Sequence, residues 1–147
     1  TTLFFGLFLY LSDKLKLEKE IKKDYSFKIA IYIGIFQVFS LIPGVSRSGI
    51  AITAARAFKF KRVDAAKISF LISIPILGAL SIYGISDIIL SDNILFTKLN
   101  LISIFLSFLF SLITIKYFLK YINKFSLNVF VYYRILLGLI LLVLAYL

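Results

Sequence analysis

The sequence predicts an all-α integral membrane protein, a multi-span helical bundle with one re-entrant helical hairpin. Three observations carry this. Apolar residues make up 61% of the 147 positions, against about 45–50% in soluble domains, and the mean hydropathy is +1.02. The apolar residues gather in long runs divided by basic segments. One cluster, IPGVSRSG at 42–49, breaks an apolar stretch with proline, glycine, serine and arginine.

Residues 1–11 are apolar and too short to span a bilayer. With no Met in the sequence, they read as the end of a helix that begins upstream, and the chain as a fragment that begins inside a longer protein. No secretory signal is visible. Residues 12–27, SDKLKLEKEIKKDYSF, are polar and of mixed charge, with Glu18 and Lys22 at helical spacing. They predict a solvated connecting helix or loop.

Residues 28–42 form the first complete apolar run. At 1.5 Å per residue it covers about 22 Å, short of the roughly 30 Å hydrocarbon core. Pro43 removes a backbone donor and biases Ile42 away from helical geometry. A second short run, 49–58, ends in the basic cluster Lys59-Phe60-Lys61-Arg62. Two half-length helices meeting at a Gly/Pro break predict a re-entrant hairpin over 28–58.

Three transmembrane helices follow. Residues 68–90 are long enough to span, with Pro75 as a tolerated kink. Residues 99–116 form the next, and Ser103, Ser107 and Ser111 recur every four residues as a small-residue packing seam. Residues 129–147 form the last, with Tyr132, Tyr133 and Arg134 near its start, where arginine can snorkel to headgroups.

Charge assigns the sides. Residues 13–28, 56–67 and 116–124 hold 14 of the 17 basic residues, while the 87–98 connection holds Asp87, Asp92 and one lysine. The positive-inside rule makes the first three cytoplasmic and the fourth external. Both ends of the 28–58 pair then lie on one side, with IPGVSRSG at the tip. The net charge of +10 is thus a topological signal, not a nucleic-acid footprint.

An arginine at membrane depth costs roughly 2.5–3.5 kcal/mol on insertion scales, so it faces water, an acid or an anionic ligand. Arg47 has no acidic sequence neighbour, and all seven acids lie in or near predicted loops. Gly44 and Gly49 permit close backbone approach. Ser46 and Ser48 offer hydroxyls, and either could cap a helix starting near Gly49. Guanidinium, hydroxyls, free amides and a helix N-terminus together make a phosphate cradle. The competing reading is a Ser-capped helix break with Arg47 paired to another helix. Gln37 could donate to the ligand or bond another helix, and Arg56 has a structural role near the interface. With no Cys and no His, disulfides, thiolate metal sites and histidine acid–base chemistry are excluded within these residues.

Three stretches, GIFQVFSLIPGVSRSG at 34–49, AAKISFLISIPILGA at 65–79 and FVYYRILLG at 130–138, resemble the undecaprenyl-diphosphatase, or bacitracin-resistance, family. They match its C-terminal half only. The resemblance implies half of an inverted-repeat fold, with a second hairpin upstream. It implies a hydrolase of the bacterial cytoplasmic membrane, active toward the outer face, that converts undecaprenyl diphosphate to the monophosphate and inorganic phosphate. That reaction recycles the carrier for peptidoglycan synthesis and confers bacitracin resistance. Its partners would be the polyprenyl diphosphate and membrane lipids, not nucleic acid, with a homodimer compatible.

Carried over by position, Arg47 and Ser46 would be catalytic. Ser48, Gly44, Gly49, Gln37 and Thr53 would bind substrate. The family pattern continues P-G-x-S-R-S-x-x-T, but Ala51 stands at the final position. Thr53 is about 200° further round an ideal helix, an imperfect substitute. The family's glutamate motif and serine/histidine motif lie outside this chain. A divalent cation, Mg²⁺ or Ca²⁺, would be bound by that other half. Arg47 can stabilise developing charge but cannot act as a base at neutral pH. The isolated chain is therefore expected to be inactive. Two other classes stay open: a transporter or flippase for an anionic lipid, and a non-catalytic membrane scaffold.

Overall fold

The structure, a computed structural model, describes residues 1–15, 19–90 and 94–146, with the side chains of 87–89, 94–97 and 145–146 left out. The described residues are helical apart from turns and one isolated β-bridge between Lys19 and Phe60. The helices are α1 (Thr2–Asp13), α2 (Ile21–Asp24), α3 (Phe27–Gln37), a 3-10 turn (Val38–Leu41), α4 (Arg47–Ala57), α5 (Arg62–Ile89), α6 (Ile94–Lys124) and α7 (Asn128–Tyr146). The all-α expectation holds.

The chain divides into two compact units, Thr1–Ile72 with Ile122–Leu147, and Ser73–Tyr121. The first is centred on α4. Gly49 through Arg56 are all buried, and both α1 and α3 pack on this helix. Its sequence explains why: glycine and alanines leave little side chain to hold neighbours away. Ile33, Phe60, Ile68, Leu127 and Val131 complete the core. Helix α1 also packs on α7, where a methyl group at Gly138 would come within 2.8 Å of Leu3 Cδ2.

Local chemistry sets the ends of α3. The Ser26 hydroxyl accepts from the Ile29 amide at 3.4 Å, an N-cap. The helix tightens into the 3-10 turn and stops before Pro43, where no amide is available to continue it. The Tyr32 ring stacks on Phe58 at 6.1 Å between centroids. The middle of α3 therefore lies beside the end of α4, and the two legs run back along each other.

Residues 12–27 differ from the expected solvated connection. Ser12 and Asp13 belong to α1 and are buried. A carboxylate is held there because two guanidiniums meet it. Arg62 donates to Asp13 Oδ1 and Oδ2 at 2.8 and 2.9 Å, and Arg56 Nε stands 3.2 Å from Oδ1. That last pair is close enough for charge attraction but not aligned as a hydrogen bond. Arg56 donates instead to the carbonyls of Asp13 and Phe60 at 2.6 and 2.8 Å. The Leu127 amide adds a 3.4 Å bond to Asp13 Oδ2. The structural role expected for Arg56 is met.

The rest of this connection is exposed or partly so. Glu20 and Lys61 pair there, and each holds the other in its charged form. Their hydrogen bond draws the Glu20 carboxyl below and the Lys61 amine above its ordinary value. Burial pushes the Tyr25 phenol up, edge-on to Phe60. Glu18 of the expected Glu18–Lys22 pair lies outside the described residues. So do Asp92 and the side chain of Asp87, on which the sidedness of the 87–98 connection rests.

In the second unit, the parts of α5 and α6 between Ser73 and Tyr121 expose nearly every described apolar side chain. Arg62–Ser86 and Lys98–Lys124, 25 and 27 residues long, are long and apolar enough to cross a membrane. Helix α5 continues through Pro75. Helix α6 runs past residue 116 through the lysine-bearing segment to Lys124. Ser103, Ser107 and Ser111 are exposed along it. The apolar stretch of α7, Asn128–Leu144, is shorter.

Candidate functional site

The break between α3 and α4 is built by its own residues. The Val45 amide donates to the Ile42 carbonyl at 3.1 Å and closes a four-residue turn. Pro43 takes the second position, where its fixed φ suits the turn, and Gly44 the third at φ +86°. Ser46 follows with extended backbone, and its hydroxyl accepts from the Gly49 amide at 3.2 Å. Ser46 is the N-cap and Arg47 the first residue of α4.

Five sequence-predicted site residues therefore share one tip: Gly44, Ser46, Arg47, Ser48 and Gly49. Arg47 and Ser48 are exposed. The hydroxyls of Ser46 and Ser48 stand 3.3 Å apart. Among the described residues, Arg47 has neither an acid nor a hydrogen-bond partner, so the competing pairing to another helix is not seen there. A free cation stands at the positive end of a helix, beside two hydroxyls and first-turn amides. That arrangement favours an anion. The Ser46 hydroxyl already accepts a helix amide, and among the described residues no base stands within its hydrogen-bond reach.

Thr53 and Gln37 lie off the tip. The Thr53 hydroxyl donates to the Gly49 carbonyl at 2.7 Å, one turn back along α4. It lines an apolar groove of about 410 Å³ walled by Phe4, Phe5 and Phe8 of α1, Phe36, Phe39, and Ile50 and Ala54 of α4. Ala51 is fully buried. Gln37, the last residue of α3, is 4% exposed. Both its amide atoms are enclosed and lack a partner among the described residues. The expected bond from Gln37 to another helix is not seen among the described residues.

One residue at the tip escapes sequence reasoning. Arg134 does not reach outward from α7 to snorkel. Its guanidinium lies against Gly49, where an added methyl group would stand 2.8 Å from Nη2, 3.1 Å from Nη1 and 3.2 Å from Cζ. Gly6 of α1 faces the Arg134 Cβ. The sequence signal was a lone arginine inside an apolar run, but its spacing from Gly49 gave no reason to join them.

Comparison with known proteins bears on this site. Residues 1–140 match the family model described as bacitracin resistance protein BacA. Among curated proteins, the chain is 54% identical over 146 residues to the undecaprenyl-diphosphatase of Pelagibacter ubique, covering 99% of this chain and 57% of that protein. It is 37% identical over 146 residues to the enzyme of the same name from a Jannaschia species, covering 99% and 55%. It is 40% identical over 141 residues to that of Teredinibacter turnerae, covering 96% and 53%. The chain thus spans little more than half the length of these relatives.

Proposed function

Because the chain belongs to the bacitracin resistance protein BacA family, we propose that it is the phosphate-gripping half of an undecaprenyl-diphosphate phosphatase. The whole protein would remove the terminal phosphate of undecaprenyl diphosphate. Water attacks the terminal phosphorus, the P–O–P bond to the lipid phosphate breaks, and undecaprenyl phosphate and inorganic phosphate leave. This would recycle the lipid carrier for peptidoglycan synthesis and give resistance to bacitracin.

The observation that carries this reading is the tip itself. Arg47 opens α4 exposed and unpaired among the described residues, beside the Ser46 cap and the Ser48 hydroxyl. In the proposed reaction, Arg47 draws negative charge from the terminal phosphate as the bridging bond breaks. Ser46 and Ser48 hydrogen-bond the phosphate oxygens, and Gly44, exposed in the turn, admits them to the backbone. Thr53 acts indirectly, by bonding the Gly49 carbonyl. Arg47 remains protonated throughout and abstracts no proton.

The group that activates water would come from the part of the protein beyond this chain. Among the described residues no three acidic side chains stand together, and Asp13 is engaged by two arginines. A Mg²⁺ or Ca²⁺ used by the whole protein would draw its ligands from outside these residues. The α3–α4 pair would be a re-entrant hairpin, one of two in an inverted repeat. The setting would be the bacterial cytoplasmic membrane, spanned by α5, α6 and α7, with the diphosphate met from the outer face. The apolar exposure of α5 and α6 supports a lipid setting.

Substitution of Arg47 by lysine in the full-length protein tests the reading. Lysine keeps the charge but loses the planar fork, so phosphate release from the polyprenyl diphosphate should fall about 10²–10³-fold in kcat/KM. A scaffold would be indifferent, and a lipid transporter would release no phosphate even as wild type. Either result would overturn the assignment.

A further inference from the structure

The arginine of α7 stands at the same helix end as Arg47 and is not explained by packing alone. Its guanidinium lies against Gly49, the third residue of α4, where an added methyl group would stand 2.8 Å from Nη2 and the arginine would have to shift. Among the described residues it has no acid and no hydrogen-bond partner, and it remains partly exposed. A cation beside the first turn of a helix faces the positive end of the helix dipole, which disfavours it. Arg47 adds a second positive charge at that end. Two unpaired guanidiniums and a helix N-terminus form a cluster of one sign, which an anion would neutralise.

The geometry also separates the two arginines. Positions 47 and 49 are about 200° apart around an ideal helix. Arg47 therefore leaves α4 on the side opposite to the one Arg134 approaches, and the two flank the helix end. A phosphate monoester carries about −1.5 to −2 charges near pH 7, more than one guanidinium balances. A diphosphate carries at least as much, spread over two phosphorus centres.

We infer that Arg134 is a second phosphate-binding guanidinium of the site, admitted to it by the absent side chain of Gly49. The inference rests on the phosphatase reading for the identity of the anion. It goes beyond that reading in assigning an α7 residue to the tip. It explains why glycine follows the second serine: the guanidinium occupies the space a Cβ would take. No bond is made or broken by Arg134. It holds oxygens and spreads charge.

The test uses inorganic pyrophosphate as probe, bound to the full-length protein in detergent and followed by calorimetry over a salt series. Arg134→Met should weaken pyrophosphate binding by about tenfold or more. It should also make the salt dependence shallower, with the unliganded melting temperature little changed. Arg134→Lys should fall between, since it keeps charge without the fork. Gly49→Ala should weaken binding although both arginines remain. If Arg134→Met does not fold, Arg134→Lys decides: binding and salt slope equal to wild type overturn the inference. The same result for a folded Arg134→Met would make this arginine a packing residue. Hydrolysis of the polyprenyl diphosphate by wild type is scored separately. An inactive wild type whose pyrophosphate binding needs Arg134 sinks the phosphatase reading and leaves the anion site standing. An active wild type whose binding ignores Arg134 sinks only this inference.

Discussion

Asp13 stands in the sequence as one acid beside a lysine-rich connection, a place where carboxylates are usually solvated. In the folded chain it closes α1 and accepts from Arg62 at 2.8 and 2.9 Å, with Arg56 Nε at 3.2 Å. Removing one member of a buried charge group leaves the others uncompensated. That costs about 3–5 kcal/mol, far above the worth of an exposed pair. Asp13→Asn keeps the size and removes the charge, so the full-length protein should melt well below wild type in detergent. An unchanged melting temperature would mean that the arginines are satisfied by carbonyls alone. The exposed Glu20–Lys61 pair should matter much less, because water screens it. The difference between the two pairs is one of burial, and burial was not readable from the local sequence of either.

At the scale of elements, the α3–α4 connection is the part most fully specified by local chemistry. Proline at the second turn position, glycine at the third and serine at the cap each have a stereochemical reason. Gly44 holds φ +86°, and an added methyl group would stand 2.9 Å from Thr2 Oγ1. Gly44→Ala should therefore cost about 1–2 kcal/mol from backbone strain alone. The tip should loosen, with faster amide exchange through the first turn of α4. Exchange at wild-type rates would show that the turn tolerates a side chain. This element was legible in advance as a break with a helix starting near Gly49, and α4 begins two residues earlier, at Arg47. The 3-10 turn over Val38–Leu41 was not, because periodicity does not separate the last α turn from a tighter one.

On the scale of the whole molecule, the proposed anion-binding groups of the tip have no base beside them among the described residues. Its relatives named undecaprenyl-diphosphatase are nearly twice as long. Purified alone in detergent, the 147-residue chain should release no phosphate from a polyprenyl diphosphate, while the full-length protein should. Rapid release by the chain alone would place the water-activating group within it and remove the need for a second half. The apolar surfaces of α5 and α6 belong to the same scale. Their long runs of Leu, Ile and Phe are exposed, as expected where lipid, not protein, is the solvent.

The sequence by itself determined the helical class, the presence of two apolar runs long enough to span at α5 and α6 though not their full lengths, the interruption at Pro43–Gly44 and the grouping of Ser46, Arg47 and Ser48. These follow from hydrophobic run length and from backbone preferences a few residues wide. Only the tertiary structure decided that Asp13 is buried between Arg56 and Arg62, that Thr53 bonds the Gly49 carbonyl, that Gln37 is enclosed, and that Arg134 reaches Gly49. Each of these joins or separates residues by the packing of helices across the chain. A side chain's partner is set by which helices come within contact distance, and neither composition nor periodicity encodes that distance.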